Sequence, residues 1–255
     1  MPKAEALSKT KPMAISDLAN PTRFLAFADR ILPFVWAAAL LGLGVGLYLA
    51  FFVAPPDYQQ GETVRIMFVH VPSAWLSMLG YGLMAIAALG TLVWRHPLAD
   101  VAAKSIAPVG AAFTFLALVT GSLWGKPMWG TYWVWDARLT SMLVLFLMYL
   151  GLIALWRAVD DSGRASRVAA VLILVGAINL PIIKFSVDWW NTLHQPASVF
   201  RMGGPTIDAS MLWPLFVMAI ATTLLFLALV LMVMKNEILR RRMRTLQLTA
   251  AGATG

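Results

Sequence analysis

The chain has 255 residues, of which 60% are hydrophobic and 13% charged, and its mean hydropathy is +0.76. An ordinary soluble domain carries about 25% charge, so that class is excluded and the chain reads as an integral membrane protein. Its 20 Lys and Arg against 12 Asp and Glu give a net charge of +8, which the basic bias of cytoplasmic loops explains better than a nucleic-acid partner. Cysteine is absent, which removes disulfides, thiolate metal sites, iron–sulfur clusters and covalent haem attachment. Three histidines leave room for one bis-histidine metal site and a spare.

The first thirty residues hold Lys3, Lys9, Lys11, Arg23 and Arg30 with no compact apolar core before them. A cleaved signal peptide is therefore not expected, and the first span stays as an anchor. A bilayer core about 30 Å thick needs roughly 20 apolar residues of helix. Six stretches meet that need: Ile31–Val53, Ile66–Trp94, Ser105–Gly125, Arg138–Trp156, Val168–Ser186 and Ala209–Met234. The expected fold is an all-α six-transmembrane-helix bundle, since spans must hydrogen-bond their own backbones and no barrel-type alternation is present. Residues 1–30 form an N-terminal segment, 31–234 the membrane domain and 235–255 a basic tail. Gly42 and Gly46, like Gly121 and Gly125, sit four apart and suit either close helix approach or the ordinary glycine content of membrane helices.

With the amino terminus inside, fifteen Lys and Arg fall on inner segments. They are the five above, Arg95 and Lys104, then Arg157, Arg164 and Arg167, then Lys235, Arg240, Arg241, Arg242 and Arg244. Five fall outside: Arg65, Lys126, Arg138, Lys184 and Arg201. Both termini are therefore expected to be cytoplasmic. The inner loops are short and plain, Asp160-Asp161-Ser162-Gly163 being a turn. The outer segments 126–137 and 187–208 instead carry Trp129, Tyr132, Trp133, Trp135, Trp189, Trp190 and His194. The stretch Gly121–Lys126 only faintly resembles a phosphate loop, being one residue short with Pro127 where Ser or Thr belongs, so any ATP is left to a partner.

Residues Trp129 to Asp136 read WGTYWVWD. A single tryptophan here suits an aromatic belt at the headgroups. The cluster suggests more. In an extended segment Trp133 and Trp135 share a side, Trp129 and Gly130 precede them, and Asp136 stands where an N-cap would open the fourth span. The result is a flat aromatic shelf, closed by an acid and suited to a large planar amphiphile. His70, in the outer turns of the second span, and His194, in the loop after the fifth, fall on the same outer side. Each alone suits an interface residue, but ionisable groups at membrane edges tend to be functional. A flat metal-centred ligand on the shelf could take an imidazole on each face, and haem iron accepts two axial nitrogens. His96, on the inner loop, reads as solvated. Arg65 could pair with a propionate or anchor its span; Arg138 could do the same or pair with Asp136. Lys126 and Lys184 read as snorkelling at the headgroups.

The tryptophan motif with its ARLTS continuation resembles the WWD signature of haem-handling proteins of cytochrome c biogenesis. Together with RIMFVHVPSAW, DWWNTLHQP and six spans, it resembles the CcmC family in particular, over nearly the whole chain apart from the tails. Tyr132 stands where the family often has tryptophan, which keeps an aromatic ring. The resemblance implies a haem transfer protein of the bacterial inner membrane without intrinsic ATPase activity. It implies haem b held non-covalently on the segment around Trp129, Gly130, Trp133, Trp135 and Asp136, with His70 and His194 as axial ligands. It also implies delivery to the periplasmic chaperone CcmE, beside the subunits CcmA, CcmB and CcmD. Two other classes compete. A b-type electron carrier usually needs ligands buried in helices and often two haems, and a permease needs mid-depth charges that these spans almost lack.

Overall fold

The computed structural model describes residues 19–195 and 198–252. Lys3, Lys9 and Lys11 lie outside the described residues. Among those described, six helical segments are long and apolar enough to cross a membrane. They are built from helices α1 (Pro21–Tyr48), α2 (Met67–Leu92), α3 (Ala99–Trp129), α4 (Ala137–Ala158), α5 (Ser162–Gly176), α6 (Asn179–Trp189) and α7 (Ala209–Gly252). The outward-facing residues include Phe34, Leu41, Phe52, Ile86, Val175 and Ile220, all exposed. An apolar perimeter around an apolar core is the pattern of a bundle solvated by lipid rather than water.

Helices α1, α4 and α5 begin where the sequence supplies side-chain caps. Asn20 accepts from the backbone N–H groups of Thr22 and Arg23, with Pro21 at the first helical position. Asp136 accepts from Leu139 N at 2.8 Å and opens α4, as its position suggests. Asp161 accepts from Gly163 and Arg164 and opens α5, so the Asp160–Gly163 turn is also a cap. At the other end of α3, Gly130 has φ +75°, a left-handed stop that favours glycine.

Several helices overrun the expected spans. α1 starts ten residues before Ile31, so Arg23 and Arg30 are helical, and α3 runs from Ala99 to Trp129. Residues 235–252 continue α7, whose 44 residues make a rod about 66 Å long, roughly twice a hydrocarbon core. Hydrophobicity marks where a helix meets lipid, whereas its hydrogen-bond ladder continues into the headgroups and water. The fifth span is two helices, broken at Ala177–Ile178, and just after the break the side-chain amide of Asn179 donates to Ser141 O of α4 at 2.9 Å.

Close contacts explain several glycines. A Cβ at Gly42 or Gly46 would meet Ala221 or Met218, so α1 lies tightly on α7. The fully buried Tyr149 fills the space beside Gly110 and donates to Ser77 O at 2.8 Å. At one end of the bundle Lys235 pairs with Asp29, and Arg242 donates to Thr22 at 2.6 Å. There too the buried Glu237 binds Lys104 at 2.8 Å and Arg241 at 2.9 Å, while Asp100 accepts from Arg241 and Ser166. This network ties α3, α5 and α7 together.

Candidate functional site

The opposite end of the bundle, where α2 begins and α3 and α6 finish, holds a cavity of about 1060 Å³. Its wall includes residues of α2, α3, α4, α6 and α7 and of the loops at 55–60 and 198–208. His70 and His194 both line it.

His70 is presented by the first turns of α2. Its Nδ1 lies 3.0 Å from Ala117 O and 3.1 Å from Thr120 Oγ1 on α3. The Thr120 hydroxyl proton is already committed to Leu116 O at 2.7 Å. Both neighbours of Nδ1 therefore act as acceptors, which assigns the proton to Nδ1 and leaves the Nε2 lone pair free. The ring fits because residue 121 is glycine, since a Cβ there would lie 2.9 Å from His70 Cε1. Trp124 meets the ring edge-on at 5.7 Å and donates its indole N–H to Gln60 Oε1 at 2.8 Å.

His194 comes from the loop after α6, yet its ring is moored. Nδ1 donates to Asp136 Oδ2 at 3.0 Å, and the Thr192 hydroxyl donates to the same oxygen. The other Asp136 oxygen caps α4. Burial alone would raise the Asp136 pKa, but the hydrogen bonds from Thr192, Leu139 N and His194 outweigh it and hold the carboxyl below its usual range. Burial lowers the pKa of His194, which Asp136 only partly offsets, so the imidazole is neutral at pH 7 and its Nε2 can act as a ligand. The Trp129 ring lies 4.8 Å from that of His194. Gly125 makes room for it, since a Cβ there would lie 2.9 Å from Trp129 Cε3.

The arrangement offers two imidazoles from separate elements, each with its Nδ1 engaged. Among the described residues no group of three or more His, Cys, Asp or Glu could hold a bare metal ion.

The heme exporter protein C model of the CcmC family matches residues 14–249. The chain belongs to the CcmC family. It is 72% identical over 239 residues to heme exporter protein C of Bradyrhizobium diazoefficiens, covering 94% of this chain and 90% of that one. The Escherichia coli K12 heme exporter protein C is 49% identical over 225 residues, 88% of this chain and 91% of that one. A putative cytochrome c biosynthesis ccmC-like mitochondrial protein of Marchantia polymorpha is 50% identical over 190 residues, 74% of this chain and 78% of that one.

In this CcmC-family chain the structure separates the expected site residues into three groups. His70, His194, Trp129 and Arg138 line the cavity, and Asp136 supports it through His194. Trp133 and Trp135 do not line it; beyond the turn at Gly130 they contact each other at 5.4 Å, with Trp135 75% exposed and the indole nitrogen of Trp133 buried without a partner among the described residues. The single shelf is thus divided, because the left-handed residue redirects the chain after Trp129. Arg65 also stands outside the lining. It donates to Ala50 O at 2.6 Å and Ala54 O at 3.1 Å and pairs with Glu62, capping the π-helical turn Leu49–Val53 that ends the first span. Arg138 donates to Ser186 Oγ at 3.2 Å and Lys184 O at 3.3 Å.

Sequence reasoning missed Trp124, Gln60 and Thr192, and it placed Lys184 at the headgroups although it lines the cavity. Trp124 lies one turn from Gly121 on the helix face that meets His70, a spacing that could have marked it. His96 is exposed in the α2–α3 turn, where its Nδ1 accepts from Leu98 N at 3.3 Å, and it is remote from the cavity.

Proposed function

We propose that this chain binds haem b non-covalently at the periplasmic face of the bacterial inner membrane and delivers it to the chaperone CcmE for cytochrome c maturation. One observation carries the proposal: His70 and His194, 124 positions apart in sequence, line one cavity with their Nδ1 atoms occupied and their Nε2 atoms left for a metal. Iron in the bound cargo takes two axial nitrogens. Trp129 and Trp124 supply apolar faces, and apolar area removed from water contributes about 25 cal/mol per Å². Trp133, Trp135 and Gly130 form the adjoining outer surface, on which the chaperone docks. Arg138 and Lys184 at the cavity wall supply charge for the propionates. Arg65 holds the end of the first span. Neutral, non-covalent ligation keeps the cargo transferable.

The basic bias of Arg95, Arg157, Arg164, Arg167 and the arginines of the α7 extension supports an orientation with both chain ends in the cytoplasm. The cavity then opens on the periplasmic side. CcmA, CcmB and CcmD are the membrane-complex partners in this reading, with ATP handled by CcmA. The b-type electron carrier gains no support from the family assignment. The deciding experiment is purification followed by an absorption spectrum. Wild type should carry a low-spin bis-histidine haem. His70→Ala and His194→Ala should each lose that spectrum and regain it with free imidazole. Unchanged spectra in both variants overturn the assignment.

A further inference from the structure

The two imidazoles are backed by different chemistry. Among the described residues His70 Nδ1 faces neutral acceptors alone, Ala117 O at 3.0 Å and Thr120 Oγ1 at 3.1 Å. His194 Nδ1 faces a carboxylate, Asp136 Oδ2 at 3.0 Å, with the Thr192 hydroxyl on the same oxygen. Charge-assisted hydrogen bonds are roughly twice as strong as neutral ones. A carboxylate behind a metal-bound imidazole raises the ligand's basicity and fixes its ring. We infer that Asp136 makes His194 the anchoring ligand of the cargo and leaves His70 as the ligand that gives way to an incoming donor. The inference rests on the haem reading above and adds to it an order of release.

That His70 belongs to a helix and His194 to a loop would by itself favour the opposite order. The geometry answers that objection. Asp136 is fixed as the cap of α4 through Leu139 N, so the His194 ring is tied to a helix start through its own Nδ1. His70 withdraws with its Nε2 lone pair and keeps its Nδ1 proton on Ala117 O. The incoming donor supplies another lone pair in its place, and no electron or proton changes hands.

The test uses the full-length protein, purified with haem, reduced and exposed to carbon monoxide, which displaces the weaker axial ligand. His70→Ala and His194→Ala, loaded in the presence of free imidazole, provide the reference adducts with His194 or His70 opposite the gas. The vibrational signature of the bound carbon monoxide reports that opposite ligand. The wild-type adduct should match that of His70→Ala. Asp136→Asn keeps a competent cap but removes the charge, so it should shift the wild-type signature. It should also weaken ferric relative to ferrous binding by about 10- to 100-fold, raising the midpoint potential by about 59 mV per tenfold. A wild-type adduct matching His194→Ala overturns the inference, as does an Asp136→Asn protein with unchanged signature and potential. The adduct comparison needs no variant at 136 and decides the order by itself. Failure of the underlying haem reading shows earlier and differently, as a wild-type protein with no bis-histidine spectrum before any gas is added.

Discussion

Replacing Gly121 with alanine tests the architecture around His70 without touching either proposed ligand. The added Cβ would lie 2.9 Å from His70 Cε1 and 3.4 Å from Nδ1, whereas ordinary contact begins near 3.4 Å. The ring, or helix α3 with it, must retreat by about 0.5 Å. A retreat of that size stretches the 3.0 Å bond from Nδ1 to Ala117 O to the edge of hydrogen bonding. Overpacking of this kind costs about 1–3 kcal/mol, equivalent to roughly a 5- to 150-fold fall in haem affinity if it falls on the bound state. The assay is haem content after parallel purification, followed by competition with a soluble apo-globin. Free imidazole should restore the low-spin spectrum by taking the place of the displaced ring. Gly44→Ala is the control, since among the described residues nothing lies within 4 Å of a Cβ there and no loss is expected. A Gly121→Ala protein with wild-type haem content, spectrum and affinity would falsify the cradle argument.

Arg65→Met should reduce accumulation or thermal stability by the equivalent of about 1.5–3 kcal/mol, the worth of hydrogen bonds to a charged group, while the spectrum of the loaded fraction stays unchanged; a selective loss of haem would return Arg65 to the ligand. Gly110→Ala should prevent accumulation altogether, because a Cβ would lie 2.4 Å from Tyr149 ring and hydroxyl atoms, and normal levels on a membrane blot would contradict this packing. The pH dependence has a defined sign. His194 is neutral both in the folded chain and in the unfolded one above its ordinary pKa of 6.5, and burial lowers the folded-state value. As pH falls below 6.5 the unfolded chain binds the proton first, so the folded form loses stability. Asp136, depressed in turn, contributes stability above its ordinary 3.8 that is lost only as pH falls through its lower folded value. Thermal scans of the haem-free protein should be flat from pH 8 to about 6.5 and decline below, and His194→Gln should blunt the upper part of that decline.

The six crossing segments were legible because hydrocarbon tolerates so little polarity that composition alone marks them. The meeting of His70 with His194 followed from counting spans, since topology brings residues 124 positions apart to one end. Helix ends were less legible, as α7 shows, because nothing in the backbone ladder stops at the lipid boundary. The division of the tryptophan segment depended on the conformation of Gly130, and glycine permits that turn without announcing it. The second task of Asp136 was hidden for a different reason. Its capping role is local and readable, whereas His194 lies 58 positions away and meets it only after α4, α5 and α6 have packed.

The interruption at Ala177–Ile178 governs which face α6 shows to the cavity. Ile183, Lys184, Val187 and Asp188 look inward, whereas Phe185 and Trp189 stack on each other and are exposed. Each residue advances a helix by about 100°. Losing a single position at the joint, with the two half-helices otherwise in place, would seat Phe185 and Trp189 where Lys184 and Asp188 now stand. The phase of one short jog thus decides whether that wall carries a cation and an anion or two aromatic rings.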